Sequence, residues 1–362
     1  MRIIFSAPFR LGLDRPLLEL LSVGRIYTYL ADGLNRSGHK VSVITPENFD
    51  LLKHAKDNPY HGLLFDSVAS LDSPLEDCDV FIGVGCCSLH QMMKVKQHGG
   101  KVATTWFNCH WSYAQKVLQD EATKIGATFD SLDPLLIWRC MREQSISDRL
   151  IVPSNVCGET YEAIPELKGK VRNVGLGVNY EPFRIPDSVQ EPLKGFRVLY
   201  AGSNWLRKGV MYLVTAWNHL HLEDATLTIM GSIPPFDPTK LWNTNLTGWV
   251  SDEDAIKVYQ QNHVFVFPSL EEGAASAIFE AMSAGLAIIT TRMGSADMIE
   301  DGVDGIIVEP KNPDAIAQAI KRLYDNPEER EKLGRNARAK VQSYPWTRFS
   351  DNVVRVLEEM VE

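Results

Sequence analysis

Long hydrophobic runs are missing from this sequence, because no apolar stretch reaches the roughly 18 residues needed to cross a bilayer. The first residues, MRIIFSAPFRLG, lack the basic start, apolar core and cleavage site of a signal peptide, and they predict a strand. The six cysteines include no C-x-x-C pair, so neither a zinc ribbon nor a redox motif is indicated. We therefore expect reduced, mostly buried cysteines and a cytoplasmic protein without a transmembrane segment.

Positive charge is also in short supply. The 362 residues include 37 lysines and arginines against 46 aspartates and glutamates, which gives a net charge of -9. This balance argues against a broad nucleic-acid-binding surface. No metal or other cofactor is expected, because the D-x-D of Asp77 and Asp79 precedes an apolar run instead of following one. The stretch GVGCCS lacks the third glycine of a dinucleotide-binding fingerprint.

Short apolar runs alternate with helical patterns, which predicts parallel sheets covered by helices on both faces. The alternation occurs twice, on either side of residues 178–195, which are rich in proline and charge. We predict an α/β chain with two Rossmann-like, doubly wound domains, residues 1–182 and 183–345. Such sheets bind ligands at the carboxyl ends of their strands, so two facing domains would enclose a central cleft. The predicted strands are RIIFSAP, KVSVIT, DVFIGVG, KVATTW and RLIVPS, then FRVLYAG, ATLTIMGS, HVFVFPS, LAIIT and DGIIVEP.

The stretch EEGAASAIFEAMSAG lies between a predicted strand, HVFVFPSL, and a predicted helix. Its small residues, Gly273–Ser276, would leave room for an anion at backbone N–H groups of the helix N-terminus. Glu272 in the turn and Glu280 one turn into the helix could each accept hydrogen bonds from hydroxyl groups. An anion site between two hydroxyl-binding glutamates would suit a nucleotide-sugar, in which a diphosphate joins a sugar to a ribose. The alternative is that Glu272 is a solvated turn residue and Glu280 an exposed helix residue.

With its flanks, FPSLEEGAASAIFEAMSAG resembles the signature of glycosyltransferase family 4, in which two glutamates stand eight positions apart before Ala-Met and a glycine. The resemblance extends over most of the chain, through GRIYTYLADGLNRSGHKVSVIT, RLIVPS, FRVLYAGSNWLRKGVMYLVTAW and LTGWVSDED. It implies the GT-B fold and a retaining, metal-independent transferase of hexosyl or pentosyl groups, with a UDP-sugar favoured as donor. It also implies that a final helix, residues 346–362, packs back on the first domain.

The resemblance implies roles for individual residues. Glu272 would bind donor-sugar hydroxyls, and Lys208 would neutralise the leaving diphosphate. Ser203 stands where the family usually has arginine, so Arg207 would supply the second cation. His110 would lie near the reacting carbon, although a structural histidine at a strand end is the alternative. The remaining donor-binding residues would be Glu280 at the ribose, Gly273, Ala274, Ala275 and Ser276 through their backbone, Trp249 or Val250 at the base, and Gly24 in the place of a loop glycine.

The sequence is compatible with three other functions. A nucleotide-sugar epimerase or hydrolase could use a similar two-domain fold. A nucleotide-sugar-binding protein without turnover is suggested by Ser203 in place of arginine. A glycosyltransferase acting on modified nucleic acid is disfavoured by the acidic composition. The expected partners are a nucleotide-sugar donor and a glycan, lipid-linked or small-molecule acceptor, and peripheral membrane contact is compatible with the sequence.

Overall fold

The computed structural model describes residues 1–8, 22–49, 61–129, 131–183, 194–233, 235 and 237–362. The chain forms two compact units. The first comprises Met1–Trp111, Asp130–Gly177 and Trp346–Glu362, and the second comprises Ser112–Phe129 and Val178–Pro345. The boundary predicted from the sequence was 182/183, and residues 112–129 were expected in the first domain. Most of the predicted linker, residues 184–193, lies outside the described residues.

The first unit contains a six-stranded sheet in the order β2-β1-β3-β4-β5-β6, in which all pairs are parallel. Its centre is apolar on both faces, as in VFIGV, where every residue is buried. The strands are β1 (Arg2–Ser6), β2 (Lys40–Ile44), β3 (Val80–Val84), β4 (Lys101–Thr105), β5 (Arg149–Val152) and β6 (Val171–Asn173). The helices along this part of the chain are α1 (Ser22–Arg36), α2 (His61–Asp72), α3 (Leu89–Gln97), α4 (Trp111–Ile125), α5 (Pro134–Ile146) and α6 (Asn155–Glu162). Apart from Trp111, α4 belongs to the second unit.

The second unit contains another parallel sheet of six strands, in the order β12-β11-β10-β7-β8-β9. The strands are β7 (Phe196–Gly202), β8 (Ala225–Gly231), β9 (Thr244–Gly248), β10 (Val264–Phe267), β11 (Ala287–Thr290) and β12 (Ile306–Ile307). The helices are α7 (Val210–Leu220), α8 (Asp252–Gln260), α9 (Ser276–Ala284), α10 (Arg292–Ser295), α11 (Pro313–Asp325) and α12 (Pro327–Val341). The predicted start of α11 is confirmed, because the Asn312 side chain accepts a hydrogen bond from Ala315 N–H and Pro313 is the first helical residue.

The strand order of the second sheet reverses between β7 and β10. From β7 the chain builds outward through β8 and β9, and it then returns to the other side of β7 with β10. Loops that leave adjacent strands on either side of such a reversal diverge, and the space between them is where doubly wound sheets bind ligands. The fold therefore favours a ligand site between the loop after β7 and the loop after β10.

The last helix, α13 (Trp346–Glu358), belongs to the first unit and packs on α1. Trp346 stacks on Tyr29 with ring centroids 4.6 Å apart. Gly33 on α1 meets Ser350 so closely that a Cβ at Gly33 would lie 2.1 Å from the Ser350 Cβ. Glycine is thus the residue that lets these two helices approach.

Two cysteines depart from the expected reduced state. Cys86, in the turn after β3, forms a disulfide with Cys140 of α5, and their Cα atoms are 5.1 Å apart. The expectation is wrong for this pair because the fold brings together residues 54 positions apart, which no local spacing reveals. The cysteines Cys78, Cys87, Cys109 and Cys157 take no part in a disulfide. In the described part of the chain, no helix has the length and apolar character to cross a membrane.

Candidate active site

The loop after β7 carries two cations to the reversal point. The Asn204 side chain accepts a hydrogen bond from the Arg207 N–H at 3.2 Å, and the Asn204 carbonyl accepts one from the Lys208 N–H at 3.1 Å. Helix α7 begins at Val210, so Lys208 lies in the loop, two residues before the helix. Gly209 between them is left-handed, with φ 64°, a conformation that L side chains rarely adopt.

The loop after β10 packs against the loop after β7. Leu270 N–H donates to the Arg207 carbonyl at 2.9 Å, and a Cβ on Gly209 would lie 2.3 Å from the Pro268 carbonyl oxygen. The loop after β10 is also hydrogen-bonded to the loop after β11, because the Thr291 hydroxyl donates to the Ser269 carbonyl at 2.6 Å. The two loops are therefore packed and hydrogen-bonded together at the carboxyl ends of β7 and β10.

Four charged side chains meet in this arrangement. The Lys208 ammonium forms an ion pair with the Glu272 carboxylate. Arg207 Nη1 lies 3.1 Å from Glu271 Oε2 and 3.4 Å from Glu272 Oε1. Lys208, Glu271 and Glu272 are 5%, 2% and 4% exposed, so these ion pairs lie in a largely water-excluded environment where electrostatic interactions are strong. The cluster balances two positive charges with two negative ones.

The turn for which anion binding is predicted lies between β10 and α9. Gly273, Ala274 and Ala275 follow Glu272, and Ser276 is the first residue of α9. Ala275 occupies the N-cap position and provides no side-chain hydrogen bond to the helix. Backbone N–H groups and the positive end of the helix dipole are therefore close to the ion-pair cluster, in a turn whose small side chains let a ligand approach.

Glu280 lies on the second turn of α9 and is partly buried. The hydroxyl of Tyr259, on α8, is hydrogen-bonded to its carboxylate. Tyr259 is only 1% exposed, and its ring makes an edge contact with Phe183 at 5.5 Å between centroids. Burial, followed by the charge of Glu280, raises the pKa of Tyr259 well above its usual value, so it is a permanent donor to Glu280.

The other predicted donor-binding residues of the second unit lie along the same edge of the sheet. Ser203 directly follows β7 and is exposed. Trp249 and Val250 directly follow β9, and the Trp249 side chain is 75% exposed. Two strand spacings, or roughly 10 Å, separate β7 from β9. An exposed indole at this distance offers a flat apolar surface at the far end of a site centred on Lys208.

His110 and Gly24 belong to the first unit. His110 is 3% exposed, its backbone N–H donates to the Thr160 hydroxyl at 2.8 Å, and its Nε2 lies 3.2 Å from Gln144 Oε1. Burial lowers the pKa of His110, so the ring is neutral at pH 7. These contacts hold the ring within the first unit, as expected for the alternative of a structural histidine at a strand end. Gly24 lies in the first turn of α1.

The acidic motif near β3 has a structural explanation. Arg2 Nη1 lies 2.8 Å from Asp77 Oδ2, and the Arg2 N–H donates to Asp79 Oδ2 at 2.6 Å. Among the residues that the structure describes, no group of three histidine, cysteine, aspartate or glutamate side chains is arranged to hold a metal ion.

Three residues of the site were missed by sequence reasoning. Glu271 is the second partner of Arg207, Asn204 shapes the loop after β7, and Tyr259 holds Glu280. The Glu-Glu pair at 271–272 was visible in the sequence, but nothing local indicated that both side chains would be buried. The link between Tyr259 and Glu280 joins two different helices and has no sequence signal.

Part of the second unit matches a known protein family. Residues 195–326 match the family model described as glycosyl transferases group 1, and this segment contains Arg207, Lys208, Glu272 and Glu280. An uncharacterized glycosyltransferase of Methanocaldococcus jannaschii is 25% identical over 92% of this chain and 93% of its own length. The chain spans about half the length of other curated relatives, such as a D-rhamnosyltransferase of Pseudomonas aeruginosa, which is 26% identical over 53% of this chain and 54% of the relative.

Solved structures resemble the whole chain. Sucrose-phosphate synthase from Thermosynechococcus elongatus matches with a TM-score of 0.72 at 18% identity, over 99% of both chains. HepE of Anabaena, solved in complex with UDP-glucose, matches with a TM-score of 0.64 at 13% identity, over 99% of this chain and 100% of HepE. The fold is that of a GT-B glycosyltransferase. The predicted fold class is confirmed, and the matches to glycosyltransferases in sequence support glycosyltransferase activity for this GT-B chain.

Proposed function

We propose that the chain is a retaining glycosyltransferase that moves a hexosyl or pentosyl group from a nucleoside diphosphate sugar to a hydroxyl group. The observation that carries the proposal is the buried cluster of Arg207, Lys208 and Glu272 beside the N-terminus of α9, at the strand-order reversal. A UDP-sugar is the favoured donor, which is supported by the fold shared with HepE, a protein solved with UDP-glucose. The acceptor is a glycan, a lipid-linked sugar or a small molecule.

The cluster can recognise a diphosphate by exchanging partners. In the structure, Lys208 and Glu272 neutralise each other. A diphosphate at the N-terminus of α9 would compete for the Lys208 ammonium and the Arg207 guanidinium. The Glu272 carboxylate would then be released to accept hydrogen bonds from the donor-sugar hydroxyls. Cations and helix N–H groups that are already in position stabilise the negative charge that develops on the leaving diphosphate.

The rest of the donor follows along the sheet edge. Glu280, held by Tyr259, accepts hydrogen bonds from the ribose hydroxyls. The base packs against Trp249 and the backbone at Val250, past the end of β9. Arg207 takes the place of the arginine that the related family has at position 203. The exposure of Ser203 and the burial of the Arg207 partner Glu271 support this assignment.

Retention of configuration is explained by attack of the acceptor on the face of the sugar from which the diphosphate leaves. The acceptor oxygen forms the new bond to the anomeric carbon, the bond to the diphosphate breaks, and a donor phosphate oxygen takes the acceptor proton. This route needs no protein nucleophile. Lys208 and Arg207 supply the positive charge that a metal would otherwise provide, so turnover should persist in excess EDTA. Loss of turnover that manganese or magnesium restores would contradict this part of the proposal.

A ligand screen tests the proposal directly. Thermal unfolding would be followed with a panel of nucleoside diphosphates and their sugars, since a ligand at about 100 times its Kd stabilises the native state by about 2.7 kcal/mol. We expect a shift with uridine compounds that Lys208→Ala abolishes and that Lys257→Ala, an exposed lysine on α8, leaves unchanged. NMR of the product should show the anomeric configuration of the donor.

The outcomes separate the rival functions. Release of free or epimerised sugar without an acceptor would show an epimerase or hydrolase. Donor binding with no transfer to any hydroxyl acceptor would show a binding protein. An inverted anomer would refute retention but would not contradict the proposed donor site. No shift with any nucleotide would overturn the proposal as a whole.

A further inference from the structure

Helix α5 of the first unit exposes an apolar stripe. Leu135, Trp138 and Met141 are spaced three residues apart, so they share one face, and they are 51%, 54% and 53% exposed. Leu132, just before the helix, is 42% exposed. The opposite face is buried through Arg139, Cys140, Glu143 and Gln144. The indole of Trp138 and the side chains of Leu135 and Met141 therefore face outward from a helix whose opposite face is buried, and Leu132 extends the apolar surface before the helix begins.

A basic pocket continues this stripe. Arg142, next to Met141, lines a pocket of about 700 Å³ together with Met93, which is itself 41% exposed. The lining contains five basic side chains, Lys96, Lys101, Arg142, Arg149 and Lys170, against the acidic Asp148 and Glu359. Asp148 is paired with Lys96 at 2.9 Å. An excess of positive charge at one place is notable in a chain whose net charge is -9.

We propose that the exposed face of α5 and the adjoining basic pocket bind the surface of a bilayer that contains anionic lipids. The chemistry of this surface fits an anionic bilayer in two ways. Tryptophan and aliphatic side chains insert at the level of the headgroups, and lysine and arginine beside them attract anionic headgroups. The pocket is large enough to take one phosphate headgroup among its cations. This inference stands on the surface alone and does not depend on the proposed transfer reaction.

The direction of α5 places the N-terminal end of the apolar stripe at the carboxyl edge of the first sheet. Helix α5 ends at Ile146 and leads into β5 at Arg149, so its C-terminus is at the amino edge of the sheet. Its N-terminus, with Leu132 and Leu135, therefore points toward the carboxyl edge, where parallel sheets bind ligands. A membrane along this helix would bring that edge close to a lipid-linked molecule.

Vesicle flotation with the purified full-length chain tests the proposal. We expect the chain to float with vesicles of three parts phosphatidylcholine to one part phosphatidylglycerol, and to remain behind with phosphatidylcholine alone. Binding should weaken as salt rises. Trp138→Ser should lower the partition coefficient about fivefold through lost apolar insertion. Arg142→Glu should lower it at least about fivefold, since each cation near an anionic surface contributes about that factor.

Matched controls keep the test specific. Leu71→Ser removes an apolar side chain that is 80% exposed on α2, and Arg335→Glu reverses an exposed charge on α12, and neither should change binding. Hydrogen exchange of the unaltered chain should show protection of residues 132–146 when anionic vesicles are added. This second measurement remains decisive if a variant fails to fold.

Several results would overturn the proposal. These are absence of flotation with anionic vesicles, equal losses in the control variants, or protection elsewhere with none in α5. Concentration-dependent dimerisation that Trp138→Ser abolishes, without vesicle binding, would assign the face to a second copy of the chain instead.

Discussion

At the scale of single residues, the ion pair between Lys208 and Glu272 joins side chains that are 64 positions apart in the sequence. Both are almost fully buried, so their charges have been removed from water and depend on each other and on nearby dipoles. The pair has a structural role in holding two loops together and, in the proposed reaction, a chemical role as the donor-binding switch. Stability measurements can separate the two roles.

Lys208→Ala should destabilise the chain by about 3 kcal/mol, because it leaves the buried Glu272 carboxylate without the lysine charge. The double variant Lys208→Ala/Glu272→Gln should lose less than the sum of the single changes, with a coupling energy of about 1–3 kcal/mol. Denaturant unfolding measures all three variants. The control is Lys321→Ala, from an exposed pair with Asp325 on α11, which should cost no more than about 1 kcal/mol. Equal effects of Lys208→Ala and Lys321→Ala would show that the buried pair is not coupled.

Tyr259→Phe should weaken nucleotide binding without disturbing the packing around the ring. The lost hydroxyl is the donor to Glu280, and a hydrogen bond to a charged group contributes about 1.5–3 kcal/mol, so Kd for the nucleoside diphosphate should rise about tenfold or more. Calorimetry with the corresponding deoxyribose diphosphates should show a smaller loss, because the ribose contact is then already missing. Tyr324→Phe, on α11, serves as the control. A loss that is the same for ribose and deoxyribose compounds would limit Tyr259 to a structural role.

In the second unit, the sequence pointed to the residues proposed to carry the chemistry but not to the residues that hold them in place. Glu272 and Lys208 stand in motifs with a fixed order along the chain, so the sequence alone pointed to them. Glu271 and Tyr259 matter because of what they touch, and their partners are 64 and 21 positions away. For His110, the motif position predicts a role near the reacting carbon, and the structure adds that the ring is buried and lies 3.2 Å from Gln144 Oε1.

At the scale of secondary-structure elements, the start of α7 depends on Gly209. Gly209→Ala should destabilise the chain by about 2 kcal/mol or more, since a left-handed alanine is strained and its Cβ would lie 2.3 Å from the Pro268 carbonyl oxygen. It should also displace Lys208 and weaken diphosphate binding. Gly169→Ala is the matched control, because φ there is 81° but no atom lies within 4 Å of the added Cβ. Thermal unfolding of the two variants should differ clearly, and equal costs would show that the loop contact is unimportant.

The amino ends of β7 and β10 are joined by a histidine that should make stability depend on pH. The Arg197 N–H donates to His263 Nδ1 at 3.1 Å, and burial, followed by the charges of Arg330 and Arg197, lowers the pKa of His263 from 6.5 to about 4. Below pH 6.5 the unfolded chain binds a proton that the folded chain does not bind until about pH 4. Stability from this group is therefore present above pH 6.5 and lost as pH falls toward 4.

The loss should be about 1–2 kcal/mol, because solvent screening of a partly exposed ring reduces the ~3 kcal/mol of the full pKa difference. His263→Asn retains an acceptor for the Arg197 N–H and cannot titrate, so its stability should fall less between pH 6.5 and 4. Urea unfolding across this range measures the difference. His98→Asn, which changes an exposed histidine, should keep the unaltered slope. An unchanged slope in His263→Asn would contradict this account.

The strands that the sequence failed to predict are both at sheet edges. β6 has only three residues, VRN, and none of them is fully buried. β9 reads TNLTG, and its residues alternate between partly buried and exposed. The central strands are apolar on both faces and could be predicted from composition, whereas an edge strand forms because its neighbour offers free backbone groups.

At the scale of the whole molecule, residues 112–129 belong to the second unit because of three side chains. Glu121 on α4 is 2% exposed, accepts a hydrogen bond from the Tyr212 hydroxyl at 2.6 Å, and lies 2.8 Å from Lys311 Nζ. The chain therefore passes between the units after residues 111, 129, 177 and 345, and not at two places as the sequence had suggested. The composition of the sequence indicated the crossing between units near residue 178. The crossings at residues 111 and 129 have no local sequence signal, because the partners of Glu121 are 91 and 190 positions away.

The central claim is that the cluster at β7 and β10 carries out transfer from a nucleoside diphosphate sugar. The most direct test measures sugar transfer to a hydroxyl acceptor by the unaltered chain and by Glu272→Gln, with Glu253→Gln, an exposed glutamate on α8, as the matched control. We predict that Glu272→Gln remains folded and loses turnover by about a hundredfold or more, as expected for one lost contact to a charged transition state, while Glu253→Gln is unaffected. Turnover close to that of the unaltered chain in a well-folded Glu272→Gln protein would contradict the claim.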